Sequence, residues 1–183
     1  MENYIKQCVG IDISAKKFDA RVCRISLDQE FSFSKNKKFD NTPKGFKELI
    51  SWANNNTDKG IPLIFLMEAT GIYYEELAYF LDRKKKDVHV ILPNKSKHYI
   101  ASLNIKLKND KVDAKCLSQL GAERKLDLWR PPAPFFKKLR SLTRHLDQLK
   151  SQKNAMENML HSNEQVHDPD PFVISVWQKN TKK

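Results

Sequence analysis

The sequence predicts an α/β fold: a mixed five-stranded sheet with flanking helices, followed by one long helix outside it. Three observations predict this. Apolar or period-two runs fill residues 5–40 with only short polar turns between them, as in an antiparallel meander. From residue 42 onward, helix-like and strand-like segments alternate, as crossover connections require. After a proline run at 130–134, leucines recur in three- and four-residue steps.

The elements follow in order. Residues 5–13 are mostly apolar and suit a central strand. Residues 18–26 alternate with period two, so one face is buried and one is wet. Residues 30–40 place Phe31, Phe33 and Phe39 among Lys and Asn, a third strand nearer an edge. Thr42-Pro43 opens a helix, Thr as N-cap and Pro in the first position. Phe46, Leu49, Ile50 and Ala53 keep helical spacing until Asn54-Asn55-Asn56. Residues 61–68 are the fourth strand. A helix from Gly71 to about Lys84 carries Tyr74, Leu77, Ala78 and Leu81 on one face. Residues 88–92 are the fifth strand, stopped by Pro93. A basic stretch follows, and a helix from about Asp110 to Lys125 carries Val112, Cys116, Leu117 and Leu120. This order is the one expected of an RNase H-like sheet. In it the first and fourth strands are neighbours, which places Asp12 beside Glu68.

The predicted domain of residues 1–129 ends at Arg130-Pro131-Pro132-Ala133-Pro134, a stiff linker because proline neither continues a helix nor frees its neighbours. In the helix expected over 135–161, Leu139, Leu142, Leu146, Leu149, Lys153, Met156 and Leu160 form an a/d seam with one polar a position. Residues 135–160 would span about 39 Å at ~1.5 Å per residue. Two readings stay open: pairing as a coiled coil, which favours a homo-oligomer, or packing back on the domain. The tail, 162–183, is expected to be irregular or truncated, because Asp168-Pro169-Asp170-Pro171 breaks any helix.

The net charge of +11 favours a polyanionic partner, since Lys and Arg displace counterions from phosphates. Most of the cations are Lys, a point charge that tracks backbone better than it reads bases. Lys95, Lys97, Lys106, Lys108 and Lys111 are the candidate nucleic-acid contacts, with a solvated face as the alternative for any one of them. No apolar run approaches the roughly 18–20 residues of a membrane span, and no signal core opens the chain. Cys8, Cys23 and Cys116 are odd in number and lack metal spacing, so they read as buried thiols of a cytoplasmic protein. The five histidines show no zinc pattern, and no serine sits in a Gly-x-Ser-x-Gly setting.

The acidic residues carry the chemistry. Asp12 ends one apolar strand and Glu68 another; Asp110 and Asp113 share a helical face by their i, i+3 spacing. Burying an unpaired carboxylate costs several kcal/mol. Mg²⁺ removes that cost, because it prefers a few carboxylate oxygens plus water and substrate phosphate. Taken singly, each has a plainer role: Asp12 as a polar residue at a strand end, Asn109 or Asp110 as N-cap, Asp113 complementing the helix dipole, Glu68 capping the next helix. Together they describe a site for two metals about 3.5–4 Å apart acting on a phosphodiester. Asp12 would bridge, Glu68 would hold one metal, and Asp110 with Asp113 would close the site.

Three blocks resemble one family. They are Gly10-Ile11-Asp12-Ile13-Ser14 with Lys17; Met67-Glu68-Ala69-Thr70-Gly71-Ile72-Tyr73; and Lys108-Asn109-Asp110-Lys111-Val112-Asp113-Ala114. Pro93-Asn94, Leu128-Trp129-Arg130-Pro131-Pro132 and Leu139-Arg140-Ser141-Leu142-Thr143-Arg144 add to the match, which runs from about residue 5 to 160. The chain resembles the DEDD transposases of bacterial insertion sequences, which have a RuvC-like N-terminal domain and a guiding bridge RNA and are related to Piv invertases. Asn109 stands where that family more often has Thr. The first block also resembles the phosphate loop of actin-like ATPases, but Ser14-Ala15-Lys16-Lys17 lacks that loop's continuation.

The resemblance implies Mg²⁺ or Mn²⁺ held by Asp12, Glu68, Asp110 and Asp113, DNA as substrate, a structured guide RNA as further partner, and a location at the bacterial nucleoid. It also implies a C-terminal domain with a serine nucleophile, which this sequence does not contain. The expected function is therefore that of the catalytic N-terminal domain of a transposase. The alternative is a non-catalytic, dimeric nucleic-acid-binding fragment.

Overall fold

The computed structural model describes residues 4–103, 110–168 and 170–181, with the backbone alone at 110–112 and 180–181. The chain divides into two compact units, Met1–Pro131 and Pro132–Lys183.

The first unit is built on strands β1 (Tyr4–Ile13), β2 (Lys17–Ser26), β3 (Phe31–Phe33), β4 (Lys37–Asp40), β5 (Leu63–Glu68) and β6 (Asp87–Ile91). Its helices are α1 (Pro43–Asn55), α2 (Glu75–Arg83), α3 (Pro93–Ser102) and α4 (Asp110–Glu123). The sheet runs β3-β2-β1-β5-β6, with β4 also paired to β2. β1, β2, β3 and β4 pair antiparallel, whereas β5 runs parallel to β1 and β6 parallel to β5. This is the RNase H-like order, with helices on both faces.

Strand alternation sorts β1 into two faces. Val9, Ile11 and Ile13 join Phe18, Phe65 and Met67 in a core closed by Phe46 and Leu49 of α1 and Leu77 and Leu81 of α2. Cys8 points the other way, with Cys23, Ile64, Leu66 and Ile91, under Tyr99 of α3 and Leu117 and Leu120 of α4. Each fully buried side chain of this size contributes roughly 1.5–3 kcal/mol. Gly10 lets α4 lie directly on β1: a Cβ there would stand 2.1 Å from the Ser118 backbone nitrogen. Helix α1 starts as expected, with Thr42 Oγ1 accepting from the Gly45 N–H and Pro43 in the first turn.

Several elements differ from the sequence reading. The single strand expected over 30–40 is two, β3 and β4. From Phe33 to Lys37 the chain takes one more residue than β2 does from Cys23 to Ala20, so a bulge interrupts the ladder. The Ser34 hydroxyl accepts from the Val22 N–H at that point, standing in for a backbone carbonyl. Helix α2 begins at Glu75, because Gly71 takes a left-handed φ of +58° and residues 71–74 form a turn. Helix α3 occupies the segment that the sequence marks only as basic. Of its residues only Ser96 and Tyr99 are buried, too few to write a helical period among lysines.

The second unit is helical. Helix α5 (Pro134–Glu164) extends beyond the expected 135–161, and none of its described residues is buried. Lys153 pairs with Glu157 at 3.6 Å, one turn on. The tail expected to be irregular instead forms α6 (Pro171–Thr181), which packs against α5. The breaker motif starts this helix: Pro171 takes its first position and Asp170 Oδ1 accepts from the Phe172 N–H. Among the described residues no helix is long and apolar enough to cross a membrane.

Candidate metal-binding cleft

Parallel pairing of β1 with β5 aligns Ile11 with Met67, so Asp12 and Glu68 are neighbours at the carboxyl ends of adjacent strands. In open α/β sheets this edge is where ligands bind. Both residues lie on the α4 face, since Gly10 and Leu66, two positions earlier, contact α4 or its cluster. Asp113 is in the first turn of α4, next to Ala114, whose carbonyl packs on Gly10.

Asp12, Glu68 and Asp113 line one cleft of about 520 Å³. Its other walls are Pro93, Ser96, Lys97, Ile100 and Ala101 of α3 and Leu117 of α4. Both oxygens of Glu68 are engaged. Thr70 Oγ1 donates to Oε1 at 2.9 Å, and Ser96 Oγ donates to Oε2. One oxygen of Asp113 is buried.

The donor chemistry fits a hard divalent cation: three carboxylates and no soft ligand. None of the three thiols lines the cleft. Burial pushes Cys23 up to about 12 and likewise raises Cys8 and Cys116. Among the described residues, however, no three His, Cys, Asp or Glu side chains close to metal-holding distance. Three carboxylates thus share the cleft without forming a closed cluster. The fourth predicted ligand, Asp110, opens α4, but its side chain lies outside the described residues.

The predicted phosphate contacts divide similarly. Lys97 lines the cleft, and Lys95 is exposed on the same helix. Lys106 and Lys108 lie outside the described residues, as does the side chain of Lys111.

Two features went unread in the sequence. One is the α3 wall, with Ser96 against Glu68; Pro93 as a helix-opening residue was its available signal. The other is Asp19, which faces Asp12 across the β1–β2 pair and is 3% exposed. Asn36 Nδ2 donates to Asp19 Oδ1 at 2.6 Å and Lys38 Nζ lies 3.1 Å from Oδ2. Both oxygens of this acid are therefore occupied by partners from the β3–β4 segment.

Residues 9–163 match the family model DEDD_Tnp_IS110, described as a transposase. The chain is 33% identical over 147 residues to the pilin gene-inverting protein of Moraxella bovis and, equally, to that of Moraxella lacunata. Each match covers 80% of this chain but 44% of the relative, so the chain spans less than half the length of these curated relatives. Among solved structures, that of Thermus thermophilus RuvC is similar with a TM-score of 0.45 and 10% identity, covering 62% of this chain and 91% of RuvC.

Proposed function

We propose, for a chain that belongs to the DEDD transposase family, that residues 1–129 are a catalytic domain that binds divalent metal and nucleic acid for DNA strand cleavage and exchange. The observation that carries this is the sharing of one cleft by Asp12, Glu68 and Asp113, which come from two strands and a helix. Asp12, Glu68 and Asp113, with Asp110 one helical turn away, would hold Mg²⁺ or Mn²⁺. The bound metal would supply Lewis-acid activation of a nucleophile and stabilisation of the leaving oxygen. The protein's own residues do the rest. Thr70 and Ser96 hold the Glu68 carboxylate in place, and Gly10 seats α4 so that Asp113 reaches the cleft. Lys97 at the wall and Lys95 beside it draw a phosphate backbone toward the carboxylates.

The partner we infer is DNA, with a structured guide RNA as a competitor for the same basic surface, in the bacterial cytoplasm. Residues 130–134 act as a linker. The helix beyond it supports self-association through Leu139, Leu142, Leu146 and Leu149, all about half exposed.

Thermal denaturation with and without metal tests the site. Mg²⁺ or Mn²⁺ should raise Tm by mass action on the folded state. Asp12→Asn combined with Asp113→Asn should abolish that rise; an unchanged metal response in the double variant refutes the assignment.

A further inference from the structure

We propose that Ser96 is the positioning residue of Glu68: its buried hydroxyl, with Thr70 on the opposite oxygen, fixes the carboxylate in the orientation a divalent cation needs. The inference rests on the reading of Glu68 as a metal ligand.

Serines elsewhere in this fold show what Ser96 would do without that role. Ser102 donates to the Tyr99 carbonyl at 2.7 Å and Ser118 to the Lys115 carbonyl at 2.7 Å, each three residues back along its own helix. Ser96 has the same option, with the Pro93 carbonyl at 2.9 Å. Its hydroxyl would be satisfied there, yet it also meets Glu68 Oε2. One hydroxyl proton faces two acceptors, and the charged carboxylate is the stronger. The contact with Glu68 therefore serves the carboxylate rather than the serine.

Ser96 is 2% exposed, so water cannot easily take its place, whereas the Thr70 bond is at the surface. The two hydroxyls reach Glu68 from different elements, α3 and the loop after β5. Together they restrain rotation about the last side-chain bond of Glu68. A ligand so restrained loses less freedom when it coordinates, and partners of this kind typically govern metal affinity about 10–100-fold.

The test titrates the full chain with Mn²⁺ by calorimetry and follows bound Mn²⁺ by electron paramagnetic resonance. Ser96→Ala should weaken Mn²⁺ binding by about 10–100-fold and alter the spectrum. Ser96→Thr, which keeps the hydroxyl, should restore both. Thr70→Val should cost less than about threefold, because water substitutes at an exposed site. Wild-type affinity in Ser96→Ala, with binding lost in Glu68→Gln, overturns this proposal and leaves the metal reading standing. Equal losses in Ser96→Ala and Ser96→Thr, with a matching fall in metal-free Tm, assign Ser96 to packing alone and also overturn it. No Mn²⁺ binding by the wild-type chain overturns both.

Discussion

Replacing Gly10 by alanine should damage the cleft without touching any residue in it. The added Cβ would meet α4 backbone at three atoms: Ser118 N at 2.1 Å, Ala114 O at 2.4 Å and Ser118 Cα at 2.6 Å. Ordinary contact begins near 3.4 Å, so α4 must withdraw by about 1.3 Å. Overpacking of this kind costs roughly 2–3 kcal/mol, a fall in Tm of roughly 5–10 °C. Because Asp113 adjoins Ala114, the withdrawal carries it away from Asp12. A misplacement of about 1 Å in a reacting constellation costs on the order of 100-fold, so metal response and any activity should fall further than stability does.

Gly121 supplies the control. A Cβ there would meet the Cys8 side chain, Sγ at 2.3 Å and Cβ at 3.2 Å. Cys8→Ala should therefore rescue Gly121→Ala in a double-mutant cycle, while no side-chain truncation should rescue Gly10→Ala. Thermal melts and Mn²⁺ titrations of the single and double variants read both effects. Wild-type Tm and Mn²⁺ affinity in Gly10→Ala, or its rescue by Cys8→Ala, would refute the reasoning.

Three further outcomes are expected. Burial raises Cys23 to about 12 and raises Cys8 and Tyr99 as well, so their contribution is intact below about pH 9 and is lost as pH climbs through the folded values. Denaturant titrations should therefore show falling stability from pH 9 upward, less steeply in Cys23→Ala; a rise over that range contradicts the burial argument. Leu142→Glu with Leu149→Glu, both about half exposed on α5, should convert a self-associating chain to monomer with the first unit's metal-free Tm unchanged. Light scattering that finds the wild type already monomeric removes the seam. Nucleic-acid affinity should fall steeply and log-linearly with salt, and Lys95→Gln with Lys97→Gln should reduce the slope by about 1–2; a salt-independent affinity argues against phosphate tracking.

The sheet was legible because its signals are local. Period-two alternation over 18–26 marked β2 as a strand, and Thr42-Pro43 fixed the start of α1. The wet face expected of β2 is absent, because Asp19 and Cys23 are buried on the face opposite Phe18 and Val22 and no residue of 18–26 is exposed. What failed was set by pairing or by context. The β3–β4 break depends on the Ser34 hydroxyl meeting the Val22 N–H, a contact between residues 12 apart that no run of Phe and Lys announces. Helix α5 does end before Asp168-Pro169-Asp170-Pro171, but the tail beyond it is not irregular, because Asp170 and Pro171 start α6. Proline interrupts a helix only from within, and at the first position it costs nothing.

The same ambiguity hid half of the cleft. Strand-ending carboxylates stand out in sequence because an apolar run gives no other reason for a charge. The wall opposite them has no such contrast. In α3 the lysines at 95 and 97 drew attention as phosphate contacts, while Ser96 between them is the residue that turns inward to Glu68. A serine flanked by lysines carries no periodic signature, and its importance exists only once β5 and α3 are brought together. The basic character of α3 and its grip on Glu68 are consequently two faces of one helix. Lys95 presents charge outward to a polyanion, Ser96 holds the carboxylate that the polyanion's chemistry would require, and Lys97 lines the cleft beside it. Lys95 and Ser96 should therefore separate cleanly: Lys95, exposed and outside the cleft lining, governs salt-dependent nucleic-acid affinity, and Ser96 governs metal affinity. A Ser96 variant that altered only the salt slope, or a Lys95 variant that altered only Mn²⁺ binding, would show that this division of the helix is mistaken.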